Sequence, residues 1–137
     1  MQLEQIMSKE HLEQTLIGTL GIEFQELTKE RVVCTMPVGP KTHQPLGLLH
    51  GGASVALAET AASIAAFLNV NPETHYTVGL EINANHIRGK RDGIVTAIAT
   101  PLHIGRSTMV WNIDIVDEQQ RQICISRCTM AVVEQKK

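Results

Sequence analysis

This sequence has few aromatic residues and only a small net charge. Phe, Trp and Tyr make up 3% of the 137 residues, so Val, Ile, Leu and Ala have to fill the core. The formal net charge is -2, which gives no general attraction to nucleic acid. A surface on which bases stack also needs more aromatic side chains than these. No nucleic-acid partner is therefore expected.

Cysteine is rare as well. Cys34, Cys124 and Cys128 form no Cys-x-x-Cys pair, which is typical of buried, reduced thiols in a cytoplasmic protein. The N-terminal residues lack the apolar centre of a secretory signal. Residues 53–70 approach the length of a membrane span, but Glu59 in their middle would cost roughly 2.5 kcal/mol or more in lipid. We therefore expect a buried helix of a soluble, cytoplasmic protein and no membrane partner.

Length and composition favour one domain over residues 1–137, with a single hydrophobic core. Hydrophobic residues make up 43% of the chain and charged residues 19%, as in folded proteins. Ser8 and Gly21 are typical of the two ends of a helix over residues 8–21. Strand-like runs follow at residues 22–27 and 31–38, and a loop rich in Gly and Pro covers residues 39–52.

The rest of the chain combines one helix with many strands. An alanine-rich helix is expected over residues 53–69, and its nearly apolar surface is typical of a helix surrounded by protein. Four runs rich in β-branched residues predict consecutive strands of an antiparallel meander, at residues 77–88, 93–103, 107–116 and 123–133. The sequence therefore predicts an α+β fold, a long central helix wrapped by an antiparallel sheet.

Hydrogen-bond donors are concentrated where this helix begins. Gly51 and Gly52 open it, and the backbone N–H groups of a helix start suit a developing negative charge on oxygen. The side chains of Gln44 and His50 are further candidate donors. The glycine pair also fits an ordinary helix start.

One carboxylate lies further along the same helix. Burial of Glu59 in apolar surroundings would raise its pKa and prepare it as a base or nucleophile. Ser63 follows by one turn and shares a face with Glu59. A single glutamate of this kind is also compatible with a structural role, as a polar group in the core whose hydrogen bonds come from Ser or Thr.

The spacing of Gly51 and Glu59 predicts a site shared between two chains. Eight residues of helix span about 12 Å at 1.5 Å per residue. A carbonyl held at Gly51 would lie beyond the reach of Glu59 in the same chain. If both groups act on one carbonyl, the glutamate comes from a second copy, which predicts a symmetric dimer.

Three segments carry recognisable motifs. They are Gln44 with His-Gly-Gly-Ala-Ser-Val-Ala-Leu-Ala-Glu at residues 50–59, Gly-Leu-Glu-Ile-Asn-Ala-Asn-His-Ile-Arg at 79–88, and Pro-Leu-His-Ile-Gly-Arg at 101–106. Together these motifs resemble those of hotdog-fold acyl-CoA thioesterases, over roughly residues 20–133. They are similar in particular to the bacterial branch that contains 1,4-dihydroxy-2-naphthoyl-CoA hydrolase and the proofreading thioesterase of enterobactin synthesis. Thioesterases acting on 4-hydroxybenzoyl-CoA are similar too.

The resemblance implies a hotdog fold and a role for each residue of the active site. Glu59 would be the nucleophile or general base, and the Gly51 N–H with Gln44 would polarise the thioester carbonyl. His50 would support the loop or the leaving thiol, and Ser63 would position water or substrate. A homodimer, often a dimer of dimers, is implied, with no metal and no organic cofactor.

The phosphates of an acyl-CoA substrate require positive charge. Two turns offer it, and the resemblance places the nucleotide near them. The candidate residues are His86 and Arg88 in one turn and Arg106 and Ser107 in the other, with Lys90 and Arg91 as weaker candidates. Solvated surface charge is the alternative interpretation. Val55, Ala62, Ala66 and Phe67 are expected to line a pocket for an aromatic acyl group.

Other functions fit some of these features. His-Gly-Gly occurs in serine esterases, but the sequence has no Gly-x-Ser-x-Gly motif. A hotdog dehydratase or a proofreading hydrolase acting on acyl-carrier-protein thioesters remains open. A non-catalytic acyl-CoA sensor is the alternative from another class, although such sensors normally carry an additional DNA-binding segment.

Overall fold

The computed structural model describes residues 2–136 and contains four helices and six strands in that range. The helices are α1 (Leu3–Ile6), α2 (Lys9–Glu13), α3 (Leu16–Leu20) and α4 (Gly51–Phe67). The strands are β1 (Glu23–Leu27), β2 (Val32–Pro37), β3 (His75–His86), β4 (Ile94–Ile104), β5 (Thr108–Val116) and β6 (Gln122–Glu134).

All six strands form one antiparallel sheet in the order β1-β2-β4-β5-β6-β3. The predicted meander is correct for β4, β5 and β6, but it is wrong for β3. Both edges of β4 are occupied, by β2 and β5, so β3 pairs instead with the free edge of β6. Consequently β3 forms one border of the sheet.

The long helix lies against the concave face of this sheet. It begins at Gly51, two residues earlier than expected, and packs against β2 to β6. Its alanines let the strands approach closely, and Ala58, Ala61, Ala62 and Ala65 are completely buried. Trp111 and Met36 are among the largest side chains in the same core.

The single helix predicted for residues 8–21 is wrong, because the chain forms α2 and α3 instead. Ser8 does cap α2, since its hydroxyl accepts the His11 N–H, and Gly21 ends α3 with φ at 73°. The Thr15 hydroxyl donates to the Leu12 carbonyl at 2.8 Å and helps to end α2. At Gly18 a Cβ would lie 2.5 Å from the Leu12 carbonyl oxygen, so the missing side chain lets α3 fold back against α2.

The three cysteines are buried and unpaired, as the sequence predicts. In the part of the chain from residue 2 to 136, no helix is long and apolar enough to cross a membrane. Within the same range, no cluster of three or more His, Cys, Asp or Glu side chains is arranged to hold a metal ion.

Candidate active site

The start of α4 presents one free backbone donor. His50 precedes the helix, and its Nδ1 atom accepts the Gly52 N–H at 2.8 Å. The His50 carbonyl accepts the N–H groups of Ala53 and Ser54 at 3.0 and 3.2 Å. Among residues 2–136 the Gly51 N–H has no acceptor. It is therefore the group at this helix end that is available to a carbonyl oxygen.

His50 supports this arrangement and also contributes a donor. Because Nδ1 accepts a hydrogen bond, the proton of the neutral imidazole lies on Nε2. The backbone N–H of His50 donates to Thr42 at 2.8 Å, which ties the helix start to the preceding loop. His50 is exposed, so its Nε2–H is accessible to a substrate.

Gln44 is held by the same loop. Its Oε1 atom accepts the N–H groups of Leu46 and Leu48, at 2.5 and 3.3 Å. Its own backbone N–H donates to the Leu48 carbonyl at 2.8 Å. The Oε1 atom accepts these two hydrogen bonds, whereas the side-chain amide N–H₂ group at Nε2 has no acceptor among the described residues. This group is therefore available as a second donor.

His86 lies at this end of the molecule too. It is the last residue of β3, and its ring lies so close to Gly51 that a Cβ on Gly51 would be 2.7 Å from the His86 Nε2. The sequence suggested His86 only as a CoA-binding residue. Its contact with the helix start joins residues far apart in the chain, and no local pattern could reveal it.

Glu59 and Ser63 lie together in a groove between α3 and α4. The groove has a volume of about 330 Å³. Its walls are Leu16 and Ile17 from α3, and Ala56, Glu59, Thr60, Ser63 and Ile64 from α4. Glu59 is half-buried rather than fully enclosed, so its carboxylate is accessible from the groove. The groove residues of α4 recur at intervals of three and four positions, so they lie along one face of the helix.

The carboxylate of Glu59 also lies close to the backbone of β3. A Cβ on Gly79 would lie 2.7 Å from the Glu59 Oε2 atom. Gly79 pairs with Met130 of β6, whereas His86 pairs with Cys124 at the other end of that strand. Gly79 and His86 are therefore separated by about 23 Å of strand, at about 3.3 Å per residue.

The candidate residues thus form two groups, one where α4 begins and β3 ends, the other near the middle of both elements. We call Gln44, His50, Gly51 and His86 the donor end, and Glu59, Ser63 and Gly79 the carboxylate end. Gly51 and Glu59 lie in one continuous helix, whose rise of 1.5 Å per residue separates them by about 12 Å.

The positively charged turns divide in the same way. Arg88 follows β3 at the donor end, and its N–H donates to Ile123 at the start of β6. Arg106 and Ser107 lie between β4 and β5, where the Ser107 carbonyl accepts the Val132 N–H near the end of β6. The predicted CoA-binding residues therefore do not come together within one chain.

Lys90 is engaged elsewhere. Its ammonium group lies 2.6 Å from a carboxylate oxygen of Glu118, and its side chain is mostly buried. The backbone carbonyl of Arg91 forms a 2.7 Å hydrogen bond with the His43 Nε2 atom, which supports the donor loop. These contacts give Lys90 and Arg91 structural roles.

The expected acyl pocket needs correction. Ala62 and Ala66 are completely buried because they face the sheet, so they are closed to a ligand. Val55 and Phe67 are only partly exposed and lie outside the groove that contains Glu59. The accessible apolar surface beside Glu59 comes instead from Leu16 and Ile17 of α3, which helix periodicity in α4 does not reveal.

A single long helix wrapped by one antiparallel sheet, with a free donor at the helix start and a carboxylate two turns later, defines a hotdog-fold thioester hydrolase. Residues 46–124 match the model of the Thioesterase superfamily. The chain belongs to this superfamily, and the predicted fold and reaction class are confirmed.

Similar proteins cover most of the chain. It is 51% identical to a 1,4-dihydroxy-2-naphthoyl-CoA hydrolase of Listeria monocytogenes, over 87% of this chain and 96% of that protein. It is 47% identical to the proofreading thioesterase EntH of Cronobacter turicensis, over 93% of this chain and 95% of that protein. The crystal structure of a mutant thioesterase from Pseudomonas aeruginosa superimposes with a TM-score of 0.90 at 46% identity, covering 98% and 96% of the two chains.

Proposed function

We propose that this protein hydrolyses an aromatic acyl-CoA thioester, such as 1,4-dihydroxy-2-naphthoyl-CoA or a hydroxybenzoyl-CoA, to the free acid and CoA. The observation that carries the proposal is the free Gly51 N–H at the start of α4 together with the accessible Glu59 carboxylate in the groove. The name of the Listeria monocytogenes relative supports the aromatic acyl group. The apolar wall that Leu16 and Ile17 provide beside Glu59 suits a flat ring.

The donor end polarises the thioester carbonyl. In this mechanism the Gly51 N–H and the side-chain amide N–H of Gln44 bind the carbonyl oxygen and stabilise the negative charge that develops on it. The His50 Nε2–H assists the departing sulfur. His86, in contact with Gly51, limits the space around the carbonyl and holds the donor in position.

The carboxylate end supplies the attack on the carbonyl carbon. Glu59 either removes a proton from water or attacks directly to form an anhydride that water then cleaves. In both routes the carbon–sulfur bond breaks, the thiolate leaves and takes a proton, and water provides the oxygen of the acid. Ser63, one turn from Glu59, positions the water or the acyl group.

The complete site requires two copies of the chain. Among residues 2–136 no strand pairs with the outer edge of β3, and Tyr76, Val78 and Leu80 on this strand are 45%, 44% and 60% exposed. The unpaired N–H and C=O groups of such an edge can pair with a strand of another chain. Two-fold pairing along β3 would bring the donor end of one copy to the carboxylate end of the other. It would also bring Arg88 of one copy toward Arg106 of its partner, where both can bind the CoA phosphates.

A second candidate is hydrolysis of aryl thioesters on a carrier protein. The name of the Cronobacter turicensis relative, a proofreading thioesterase, favours it. The carbonyl chemistry is the same, so the two functions differ in what binds the Arg88 and Arg106 turns. A comparison of one acyl group on CoA and on a carrier protein distinguishes them by their kcat/KM ratio.

The test is thiol release from a panel of aryl, short-chain and long-chain acyl-CoA thioesters. We expect the highest kcat/KM for an aryl-CoA. Glu59→Gln should lower kcat by about a thousandfold or more without weakening CoA binding. Glu30→Gln, in an exposed turn between β1 and β2, is the matched control and should behave as the wild type.

Three results would contradict the proposal. Binding of acyl-CoA without thiol release would indicate a sensor. An enoyl chromophore formed from a 3-hydroxyacyl thioester without thiol release would indicate a dehydratase. Unchanged activity of Glu59→Gln would remove this residue from the mechanism.

A further inference from the structure

The φ angle of Gly79 does not require glycine. The glycines with positive φ are Gly21, Gly47 and Gly93, so Gly79 adopts a conformation that other residues tolerate. It lies inside β3, where glycine weakens a strand because it has no side chain to pack. A glycine in such a position often marks a bulge, a tight bend or the close approach of another group.

The group that approaches Gly79 is the Glu59 carboxylate. A Cβ on Gly79 would lie 2.7 Å from Oε2 and 3.7 Å from Cδ of Glu59. The first distance is shorter than real Cβ contacts. Because the conflicting atom is the end of a flexible side chain, an alanine here would move the carboxylate rather than the backbone.

The space around the carboxylate is restricted on the β6 side. Met130 lies opposite Gly79, with its sulfur 4.0 Å from the same Cβ position. Cys128 is the next inward-facing residue of β6, and its Sγ donates to the Met130 sulfur at 3.6 Å. Burial and then the nearby Glu59 and Glu81 charges raise the pKa of Cys128 to about 11. Met130 and Cys128 therefore restrict movement of a displaced carboxylate toward β6.

A β-bulge follows Gly79 directly. The pairing of β3 with β6 shifts between Gly79 and Glu81, so Leu80 has no partner in the ladder and its side chain is 60% exposed. Bulges bend a strand and redirect its residues. Here the bend occurs at the point where β3 meets the catalytic helix.

We infer that Gly79 is a positioning residue, which fixes the Glu59 carboxylate between α4 and β3 by having no side chain. The inference rests on the proposed function, in which Glu59 acts on the thioester carbonyl. A shift of about 1 Å at a catalytic group can reduce a rate by about a hundredfold. Gly79 therefore controls the rate of the chemical step without contacting the substrate.

The experiment compares Gly79→Ala with Gly39→Ala, a glycine where a Cβ would meet no atom within 4 Å. For the best aryl-CoA substrate of the panel, Gly79→Ala should lower kcat about a hundredfold while KM stays within about threefold. Its melting temperature should stay within a few degrees of the wild type, and Gly39→Ala should match the wild type in all three measurements. A kcat of Gly79→Ala within threefold of the wild type would overturn the inference.

A double-mutant cycle separates positioning from general damage to the strand. Glu59→Asp retracts the carboxylate by one methylene, so the conflict with a methyl group at position 79 disappears. In that background Gly79→Ala should lower kcat by less than about threefold. An equal loss in both backgrounds, or a double variant that fails to fold, would show that the substitution disturbs β3 itself and would overturn the inference.

Failure of the proposed function can be recognised separately. A wild-type protein that releases no thiol contradicts that function, whereas the position of the carboxylate is read from crystal structures of the wild type and Gly79→Ala. A shift of the Glu59 carboxylate by about 1 Å toward the groove supports the role of Gly79. An unmoved carboxylate rejects it.

Discussion

The Nδ1 atom of His50 accepts the backbone N–H of Gly52 at 2.8 Å, so one imidazole caps α4 while its other nitrogen faces outward. Two roles of His50, in stability and in chemistry, can therefore be separated by substitution. His50→Ala removes both the cap and the Nε2–H donor. His50→Asn keeps a side-chain oxygen that can accept the Gly52 N–H, but it lacks a donor at the imidazole Nε2 position.

We expect His50→Ala to lower the free energy of unfolding by about 1 kcal/mol and His50→Asn to restore most of that loss. Both variants should lower kcat/KM by about tenfold to a hundredfold, because both lack the outward donor. Chemical denaturation and thiol-release kinetics measure the two effects. Full activity of His50→Asn would mean that capping is the whole contribution of this residue.

Subunit mixing tests the shared site. A Glu59→Gln chain and a Gln44→Ala chain should each be nearly inactive alone, because every site in either homodimer lacks one group. In a mixed dimer, the intact Gln44 of one copy meets the intact Glu59 of the other, so one site of two is complete. After unfolding and refolding an equal mixture, about a quarter of the wild-type activity should return, as random pairing of a symmetric dimer requires. If both groups act within one chain, no activity will return.

The CoA phosphates should depend on Arg88 and Arg106 and not on Lys90. Arg88→Ala and Arg106→Ala should each raise KM for the acyl-CoA about tenfold, because a charge-assisted hydrogen bond is lost. Lys90→Ala is the control, since its ammonium group is paired with Glu118 at 2.6 Å. With a pantetheine thioester that lacks the nucleotide, all three variants should match the wild type. An effect of Arg88→Ala that persists on this substrate would rule out a role in phosphate binding.

Asp117 should make stability depend on pH in the acid range. Burial raises the pKa of this carboxyl group, but hydrogen bonds from Arg121 and from the Gln119 N–H outweigh it, so the pKa falls below its ordinary 3.8. A lowered acid pKa stabilises the folded state above the ordinary value, and this contribution disappears as the pH falls through the lowered one. The melting temperature of Asp117→Asn should therefore lie below that of the wild type at neutral pH. The difference should begin to narrow below about pH 4 and vanish only below the lowered pKa. A difference independent of pH would show that the charge of Asp117 is irrelevant.

The three cysteines should not react in the folded protein. Burial raises the pKa of Cys34 to about 12, and burial with nearby acidic charges raises that of Cys128 to about 11. Burial also raises the pKa of Cys124. Because the thiolate is the reactive form, a thiol reagent at neutral pH should label no cysteine until denaturant is added, and then all three. Rapid labelling of the folded protein would show that one of these thiols becomes exposed.

The separation of the donor and carboxylate ends could be predicted because helix geometry depends only on residue count. Gly51 and Glu59 belong to one regular helix, and a rise of 1.5 Å per residue gives their distance in any protein. The position of Ser63 beside Glu59 follows from the same periodicity. The apolar, alanine-rich composition of residues 53–69 likewise identified the helix around which the sheet forms.

Strand order and long-range contacts could not be predicted in this way. The β-branched residues of β3 identify it as a strand, but they do not indicate which other strand has a free edge, so the sequence does not predict that β3 lies beside β6. The contacts of His86 with Gly51 and of Gly79 with Glu59 depend on that placement. The break between α2 and α3 depends on the Thr15 hydroxyl, which competes for the Leu12 carbonyl. The helix propensity of residues 8–21 does not reveal this competition.

The uncovered border of the sheet along β3 affects how activity scales with the amount of protein. If each chain provides only half of every site, dilution below the dissociation constant of the pair removes activity. Turnover per chain would then fall steeply at low abundance and remain constant once pairing is complete. In a cell that makes little of this protein, activity would therefore rise with the square of the amount of chain, because two copies are needed for each site.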